Sequence, residues 1–253
     1  MLPTLDERDN LEALLPALLA LPSVGEVWVV DDGSTDGTCE LVRRMMQEEP
    51  RLHLLERRGR PCLTDAIREG IEACTSEHVA WMDADGAMQP ADLERLHDAL
   101  IASGADLAVG SRFTPDGRIK GQAGDGWIER WRALTQLGDT ADPWFGVLLS
   151  WGLNGVVLPL LLGRPTHDYT SGFAVARRAV ILELGMRGDH GEYFIDLWVS
   201  AERAGYRIVE VGYAIQPRRH GASKTAESAL GYLWRGRRYV STAWALRRGS
   251  RGR

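Results

Sequence analysis

The sequence predicts an α/β protein with a mostly parallel sheet and flanking helices. Three observations lead there. Short apolar runs alternate with stretches of helical periodicity through the first half of the chain. Two of those runs, Val27–Val30 and His78–Met82, end in acids followed by Gly-bearing turns. The chain, at 253 residues, 44% hydrophobic and 26% charged, is long and apolar enough for one large α/β domain.

The elements follow in order. Leu11, Leu14, Leu15, Leu18 and Leu19 recur at helical spacing, so a helix is expected over Asn10–Leu21. Val27–Val30 reads as a short buried strand, and Thr38–Glu49 as a helix stopped by Pro50. Leu52–Leu55 is a strand, and Leu63–Cys74 is a helix with Ala66, Ile67, Gly70 and Ile71 on one face. Val79–Met82 is a strand, and Pro90–Ser103 is a helix with proline in its first turn. Asp106–Gly110 is a strand, Phe173–Val180 is mixed, Glu192–Ala204 is helical and Tyr206–Val211 is a strand. Strands separated by helices imply right-handed parallel crossovers.

Between these, Pro143–Gly163 carries no charged residue. Its length approaches the roughly 20 residues of a membrane span, but Pro159, Asn154 and three glycines interrupt it. An interfacial helix pair is the preferred reading, with a buried core segment as the alternative. Net charge is −5, yet from Arg218 onward the chain carries ten Lys or Arg and a single acid, Glu227. Such a tail reads as a contact for an anionic surface. The basic residues sit in one tail, not on an aromatic sheet face, which argues against nucleic acid. Cys39, Cys62 and Cys74 show no metal-ligand spacing and are expected as reduced thiols. No charged-then-apolar leader is visible, so the expected place is cytoplasmic.

The chemistry concentrates in Asp83-Ala84-Asp85. Two carboxylates one residue apart, where a strand meets a loop, suit a hard divalent cation bridged to a phosphate. With Asp31-Asp32-Gly33-Ser34-Thr35-Asp36-Gly37 at another strand end, they suggest a nucleotide site on the carboxyl edge of the sheet. Read alone, each is weak: Asp32 has a turn or cap role before Gly33 as its alternative, and Asp-x-Asp by itself is more often a solvated turn.

Six segments in order carry a stronger signal: Pro3-Thr4-Leu5-Asp6-Glu7, Val30 to Thr38, Asp83-Ala84-Asp85-Gly86, Val109-Gly110-Ser111-Arg112, Asp168-Tyr169-Thr170-Ser171-Gly172-Phe173, and Arg218-x-x-Gly221-x-Ser223-Lys224. Together they resemble family 2 glycosyltransferases of the GT-A fold. The resemblance spans nearly the whole chain and is strongest to the polyprenyl-phosphate sugar transferases of dolichol-phosphate mannose synthase type. It implies a GT-A domain over 1–225, with a nucleotide-sugar half at 1–112 and an acceptor half at 113–225. A basic, aromatic, membrane-facing tail would follow at 226–253.

The resemblance also implies roles. Pro3, Glu7, Asp32 and Asp83 would bind the nucleotide. Asp83 and Asp85 would hold Mg²⁺ or Mn²⁺. Asp83, Asp85, Arg112 and Asp168 would form the catalytic group, and Arg112, Ser171, Arg218, Ser223 and Lys224 would hold phosphate and acceptor. The implied reaction is inverting and metal-dependent, moving a hexose from a GDP-mannose or UDP-glucose type donor to a polyprenyl phosphate. A peripheral position on the cytoplasmic face of a membrane follows, with a membrane-anchoring partner protein as a further expectation. A hydroxyl acceptor is the alternative. It would need a base, for which Asp196 is the candidate, although a lone helix acid more plainly reads as solvated. A nucleotide-binding homologue with an impaired site is the third reading.

The chain departs from the family pattern at Asp6, where Asn is usual before Glu7, at Cys62-Leu63-Thr64, where a Gly-x-Gly pair is common, and at Ala87, where the mannose synthases often place a metal-ligating Gln. Gln89 lies two residues further on. Only Met1-Leu2 precede Pro3, so the first, central strand is expected to be largely missing, as it would be if the start had been placed too late.

Overall fold

The computed structural model describes residues 1–114, 116–117, 152–163, 168–216 and 229–249. The strands are β1 (Leu2–Thr4), β2 (Val27–Asp31), β3 (Leu52–Glu56), β4 (His78–Trp81), β5 (Leu107–Ser111), β6 (Ala174–Arg177) and β7 (Ile208–Gly212). The helices are α1 (Arg8–Leu19), α2 (Thr38–Met45), α3 (Leu63–Ala73), α4 (Pro90–Ser103), α5 (Leu158–Leu162), α6 (Arg178–Leu184), α7 (Tyr193–Ala204) and α8 (Ala229–Gly249). A π-helical turn, Leu153–Val157, leads into α5.

Two hydrogen-bonded ladders form, β1-β2-β3 and β4-β6-β5-β7. Met1 joins them: its amine donates to the Ala80 carbonyl at 2.8 Å, and the Met82 N–H donates to the Met1 carbonyl at 3.4 Å. The order is therefore β3-β2-β1-β4-β6-β5-β7, with β6 antiparallel to its two neighbours. The expected missing first strand is instead short. Three residues pair in parallel with Val29, Val30 and Asp31 of β2. Pro3 has no N–H and cannot extend the pairing toward β4. β6 is antiparallel because the chain reaches it from the carboxyl edge, through the segment 168–173.

The helices form where their apolar faces repeat. Leu11, Leu14, Leu15 and Leu18 of α1 are buried at i, i+3, i+4 and i+7. They pack with α2 and α4 against one sheet face, and α3, α6 and α7 pack on the other. α4 begins at Pro90 and stops at Gly104, which takes the left-handed conformation, φ 59°. α2 is shorter than its periodicity suggests. Its last carbonyls are taken by tight turns, Arg44 accepting from Gln47 and Met45 from Glu48, before Pro50. Gly70 lets α3 lie close on the sheet, since a Cβ there would come within 2.8 Å of Val30 Cγ2.

Because the chain runs β1-β2-β3 to one side and then starts β4 on the other side of β1, the order reverses between β1 and β4. The crevice outside the carboxyl ends at such a point is where open α/β sheets bind ligands. The ends of β1, β2, β3, β4 and β5 carry Glu7, Asp32, Arg57, Asp83 and Arg112 within a few residues.

Candidate active site

The first two strand ends interlock. Asp31 is buried and turns the loop: its Oδ1 accepts from the Gly33 and Ser34 N–H groups at 2.9 Å each, and its Oδ2 accepts from the Ser34 hydroxyl. Asp6 adopts φ 49°, a conformation that Asn and Asp tolerate better than most residues. Its Oδ1 accepts from the Thr35 N–H at 2.7 Å, and its own N–H donates to Ser34 Oγ at 2.7 Å. The acid standing where Asn is usual thus closes a loop-to-loop contact. Glu7 Oε2 accepts from Asn10 Nδ2 at 2.6 Å, holding that carboxylate over α1.

Since Asp31 serves the turn, Asp32 is left for the crevice. Its Oδ2 accepts from the Cys62 N–H at 2.9 Å, and its Oδ1 is ion-paired to Arg57. Burial alone would disfavour the Arg57 charge, but Glu69 and Asp32 more than offset it and keep the guanidinium protonated. Sequence reasoning missed Arg57. Its only signal is a basic residue directly after a strand that ends beside an acidic one.

Asp83 and Asp85 sit just past β4. Asp83 is exposed and Asp85 is buried, with Asp85 Oδ1 accepting from the Ala87 N–H at 2.9 Å. Gln89 is drawn back onto the turn, Nε2 donating to the Gly86 carbonyl at 2.9 Å. Ala87 is buried. Among the described residues no cluster of three or more His, Cys, Asp or Glu is placed to hold a metal. The donors present are two carboxylates, which fit a hard cation completed by phosphate oxygens and water.

Arg112 and Asp168 meet behind this pair. Arg112 Nε donates to Asp168 Oδ2 at 2.7 Å, and Nη2 donates to Asp168 Oδ1 at 2.8 Å and to Thr170 Oγ1 at 3.0 Å. Burial would lower the Arg112 pKa, but Asp168 more than compensates and raises it. Asp168 is fully buried, and both of its carboxylate oxygens accept from Arg112. Asn154 braces the same segment: it donates to Thr170 Oγ1 at 3.0 Å and accepts from the Tyr169 N–H at 2.8 Å. Ser171 is buried and its Oγ accepts from the Phe173 N–H at 3.3 Å. Tyr193 accepts from Trp81 Nε1 at 2.9 Å. Burial first, then the Asp83 charge, raises its pKa. Tyr213 is raised by burial, with Arg112 opposing. Neither tyrosine stands out in the sequence.

Asp196 is not the solvated helix acid expected of it. It is buried in α7, its Oδ2 has no hydrogen-bond partner among the described residues, and burial raises its pKa against the opposing charges of Arg187 and Arg203. Arg218, Ser223 and Lys224 lie outside the described residues, as does the 143–151 part of the uncharged stretch. The described part, 152–163, divides between both expectations: Asn154 and Leu158 are buried, while Val156, Val157 and Leu160 are exposed. α8 packs against α5 and α7 and exposes Val240 and Trp244. The Arg248 guanidinium lies 3.4 Å from the Trp244 ring centroid. No described helix is long and apolar enough to cross a membrane. A cavity of about 240 Å³ opens at the opposite, amino edge of the sheet, beside Val27, His78 and His97, away from the acidic motifs.

A switch-point crevice with an acidic pair at its centre, on a sheet with one antiparallel strand, is the architecture of GT-A glycosyltransferases. Solved structures bear out the fold. Glucosyl-3-phosphoglycerate synthase from Mycobacterium tuberculosis, crystallised with Mn²⁺, UDP and glucosyl-3-phosphoglycerate, superposes with a TM-score of 0.65 at 19% identity, over 97% of this chain and 77% of that one. The same enzyme with Mg²⁺ and UDP gives 0.61 at 20% identity, over 97% and 77%. The chain belongs to glycosyl transferase family 2, whose model matches residues 1–185, and it is a glycosyltransferase. It is 34% identical over 238 residues to a polyprenol monophosphomannose synthase of Mycolicibacterium smegmatis, covering 91% of this chain and 81% of that protein. It is 31% identical over 240 residues to an undecaprenyl-phosphate mannosyltransferase of Micrococcus luteus, covering 91% and 88%.

Proposed function

We propose that this enzyme transfers a hexose, with inversion, from a nucleotide sugar of the GDP-mannose or UDP-glucose type to a polyprenyl phosphate. The observation that carries this reading is the likeness, across 91% of the chain, to two prenyl-phosphate mannosyltransferases. The site chemistry agrees with it. A phosphate monoester has a second pKa near ~6 and is largely dianionic at neutral pH, so it is already a nucleophile and needs no base. Its oxygen attacks the anomeric carbon, the bond from that carbon to the diphosphate oxygen breaks, and the nucleoside diphosphate leaves with the electron pair.

The nucleotide half, 1–112, supplies Pro3, Glu7 and Asp32 for the nucleoside. Asp83 and Asp85 would hold Mg²⁺ or Mn²⁺, which when bound supplies Lewis-acid stabilisation of the leaving diphosphate. Arg112, fixed by Asp168, aims a planar cation at phosphate oxygens. Ser171 joins it, with Arg218, Ser223 and Lys224 as further phosphate ligands of the acceptor half, 113–225. The exposed Val156, Val157, Leu160 and Trp244, next to the arginines of α8, offer apolar insertion plus cationic attraction to a bilayer. A peripheral position on the cytoplasmic face of a membrane, where the acceptor's chain resides, belongs to the same reading.

The test is incubation of purified protein and membranes with a panel of labelled nucleotide sugars, followed by organic extraction. An acid-labile lipid product that requires a divalent cation is expected. A product confined to the aqueous phase would overturn the acceptor assignment.

A further inference from the structure

α8 has two sides. Val240 and Trp244 are exposed, whereas Ala243 is fully buried and Tyr239 and Leu246 pack on the core. The inward side meets the loop 188–192, which leads into α7. Gly188 has φ 122°, and a Cβ there would come within 3.2 Å of Glu192 Cγ and 3.3 Å of the Tyr193 nitrogen. A Cβ at Gly191 would collide with the Tyr239 hydroxyl. These two glycines let the loop fit between the start of α7 and the inward side of α8.

The same loop backs the nucleotide half. Cys62 Sγ donates to the Asp189 carbonyl at 3.6 Å, and the Cys62 N–H donates to Asp32 Oδ2 at 2.9 Å. Arg60 Nη2 stands 3.7 Å from Asp189 Oδ2, but Arg60 is largely exposed and that pair is screened. From the other side, Arg238 of α8 brings Nη1 to 3.5 Å from Asp189 Oδ2 and 3.7 Å from Glu192 Oε1. Glu192 is buried, and its Oε1 also accepts from the Asp189 N–H at 3.3 Å. A short run of contacts thus leads from α8 through Asp189 to the residue that holds Asp32.

Arg238 Nη1 is itself buried and makes no hydrogen bond among the described residues. Both carboxylates lie beyond the roughly 2.8 Å of a charge-assisted hydrogen bond, so a shift of less than about 1 Å between α8 and the loop would close the contacts. A buried donor left open costs free energy that such a shift recovers.

We propose that Arg238 is a positioning residue that couples the lipid contact to the nucleotide site. When the outward side of α8 seats on a bilayer, Arg238 closes on Asp189 and Glu192, and the loop is pressed onto the segment that holds Asp32. Nucleotide binding and lipid binding then strengthen each other by one factor, since linkage is reciprocal. This rests on the nucleotide site and the lipid face assigned under the proposed function, and it adds a link between them that neither requires.

The test is calorimetric binding of GDP and UDP, each with Mn²⁺, to the full chain with and without phosphatidylglycerol vesicles, together with vesicle sedimentation with and without the nucleotide. At least one of the two should bind about tenfold tighter on vesicles and should tighten vesicle binding by the same factor. Arg238→Met should bring that factor close to one. It removes a cation from α8, so its vesicle binding falls in either state, and the ratio between the states reads the coupling. Arg238→Lys should keep most of the factor, because a single nitrogen faces both carboxylates and an ammonium can stand in for it. Asp189→Asn leaves every cation and the Cys62 contact in place and should lower the factor as Arg238→Met does; if Arg238→Met does not fold, it carries the test alone. No mutual effect in the parent chain, or the full factor retained by Arg238→Met or by Asp189→Asn, overturns the proposal. Absence of nucleoside diphosphate binding overturns it together with the nucleotide site, and absence of vesicle binding overturns it together with the lipid face. An intact coupling without a lipid-linked product overturns the acceptor assignment and leaves this one standing.

Discussion

Asp168 and Arg112 form a two-pronged ion pair in which the carboxylate has no solvent exposure and each of its oxygens accepts from the guanidinium, at 2.7 and 2.8 Å. The pair joins the end of β5 to the segment entering β6, so it fixes both the arginine and the antiparallel turn of the chain. Removing one partner strands a buried charge, which costs about 3–5 kcal/mol. Asp168→Leu should therefore lose stability of that order in urea titration and lose activity. The double variant Arg112→Met with Asp168→Leu should regain most of the stability and none of the activity. Recovery of activity in the double variant would show that Arg112 has no part in the chemistry.

The acidic pair separates into an exposed and a buried member, and the two should fail differently. Asp83 is exposed and Asp85 holds the Ala87 N–H. Asp83→Ala should cut kcat at least about a hundredfold with an unchanged Tm, the scale on which transition-state charge stabilisation is lost. Asp85→Ala should be the more damaging change, and it should also lower stability by about 1 kcal/mol through the lost hydrogen bond. Chelation should abolish turnover, and Mn²⁺ or Mg²⁺ should restore it. Full activity in excess chelator would remove the cation from the proposed reaction.

Much of this site was legible because the signals are local. Helix periods, the Pro90 start and the acids at strand ends depend on neighbours in sequence, and they put most elements within a residue or two of where they lie. What escaped depends on distant partners. Nothing near Arg57 in the sequence says that Asp32 and Glu69 will surround it, because those meetings are made by β3 lying beside β2 and by the packing of α3. Asp196 reads as a surface acid until α7 proves to be buried along most of its length. The antiparallel direction of β6 was equally hidden, since a strand as short as Ala174–Arg177 carries no sign of its direction. Asp6 shows the opposite case, an apparent departure that the fold absorbs because the acid makes the loop contact itself.

Glu26 predicts an acid limb of stability. Its Oε1 accepts from the Thr75 and Ser76 N–H groups at 2.8 and 3.0 Å, and its Oε2 accepts from Trp28 Nε1 at 2.9 Å, tying the start of β2 to the loop before β4. Burial works against its charge, but these hydrogen bonds prevail and hold the carboxyl at about 2. A carboxyl depressed on folding contributes its stability above the ordinary glutamate pKa and loses it as pH falls toward the folded value. The loss should thus run from about pH 4.5 down to about 2. Solvent screening at this half-buried site limits it to roughly 1 kcal/mol. Glu26→Gln should lower stability at pH 7 by that amount and flatten this part of the pH profile. An unchanged acid limb would assign it to other carboxyls.

The apolar surface shared by the helix at 153–162 and α8 predicts where the enzyme meets lipid. Leu160 is 73% exposed and Trp244 47% exposed, and Arg248 stacks on the indole beside them. Burying an exposed leucine in the acyl boundary is worth about 1.5–3 kcal/mol, and each nearby arginine adds about 1 kcal/mol on an anionic leaflet. Leu160→Glu should weaken sedimentation with phosphatidylglycerol vesicles at least about tenfold, and Trp244→Ser less so. Neither substitution touches the crevice, so kcat on a short, water-soluble prenyl phosphate should stay as in the parent while KM for a long-chain acceptor in vesicles rises. Added salt should weaken the parent's vesicle binding, because the arginine contribution is screened within about 10 Å at 0.1 M. If Leu160→Glu binds vesicles as the parent does, this face is turned elsewhere and the membrane contact lies on another part of the molecule.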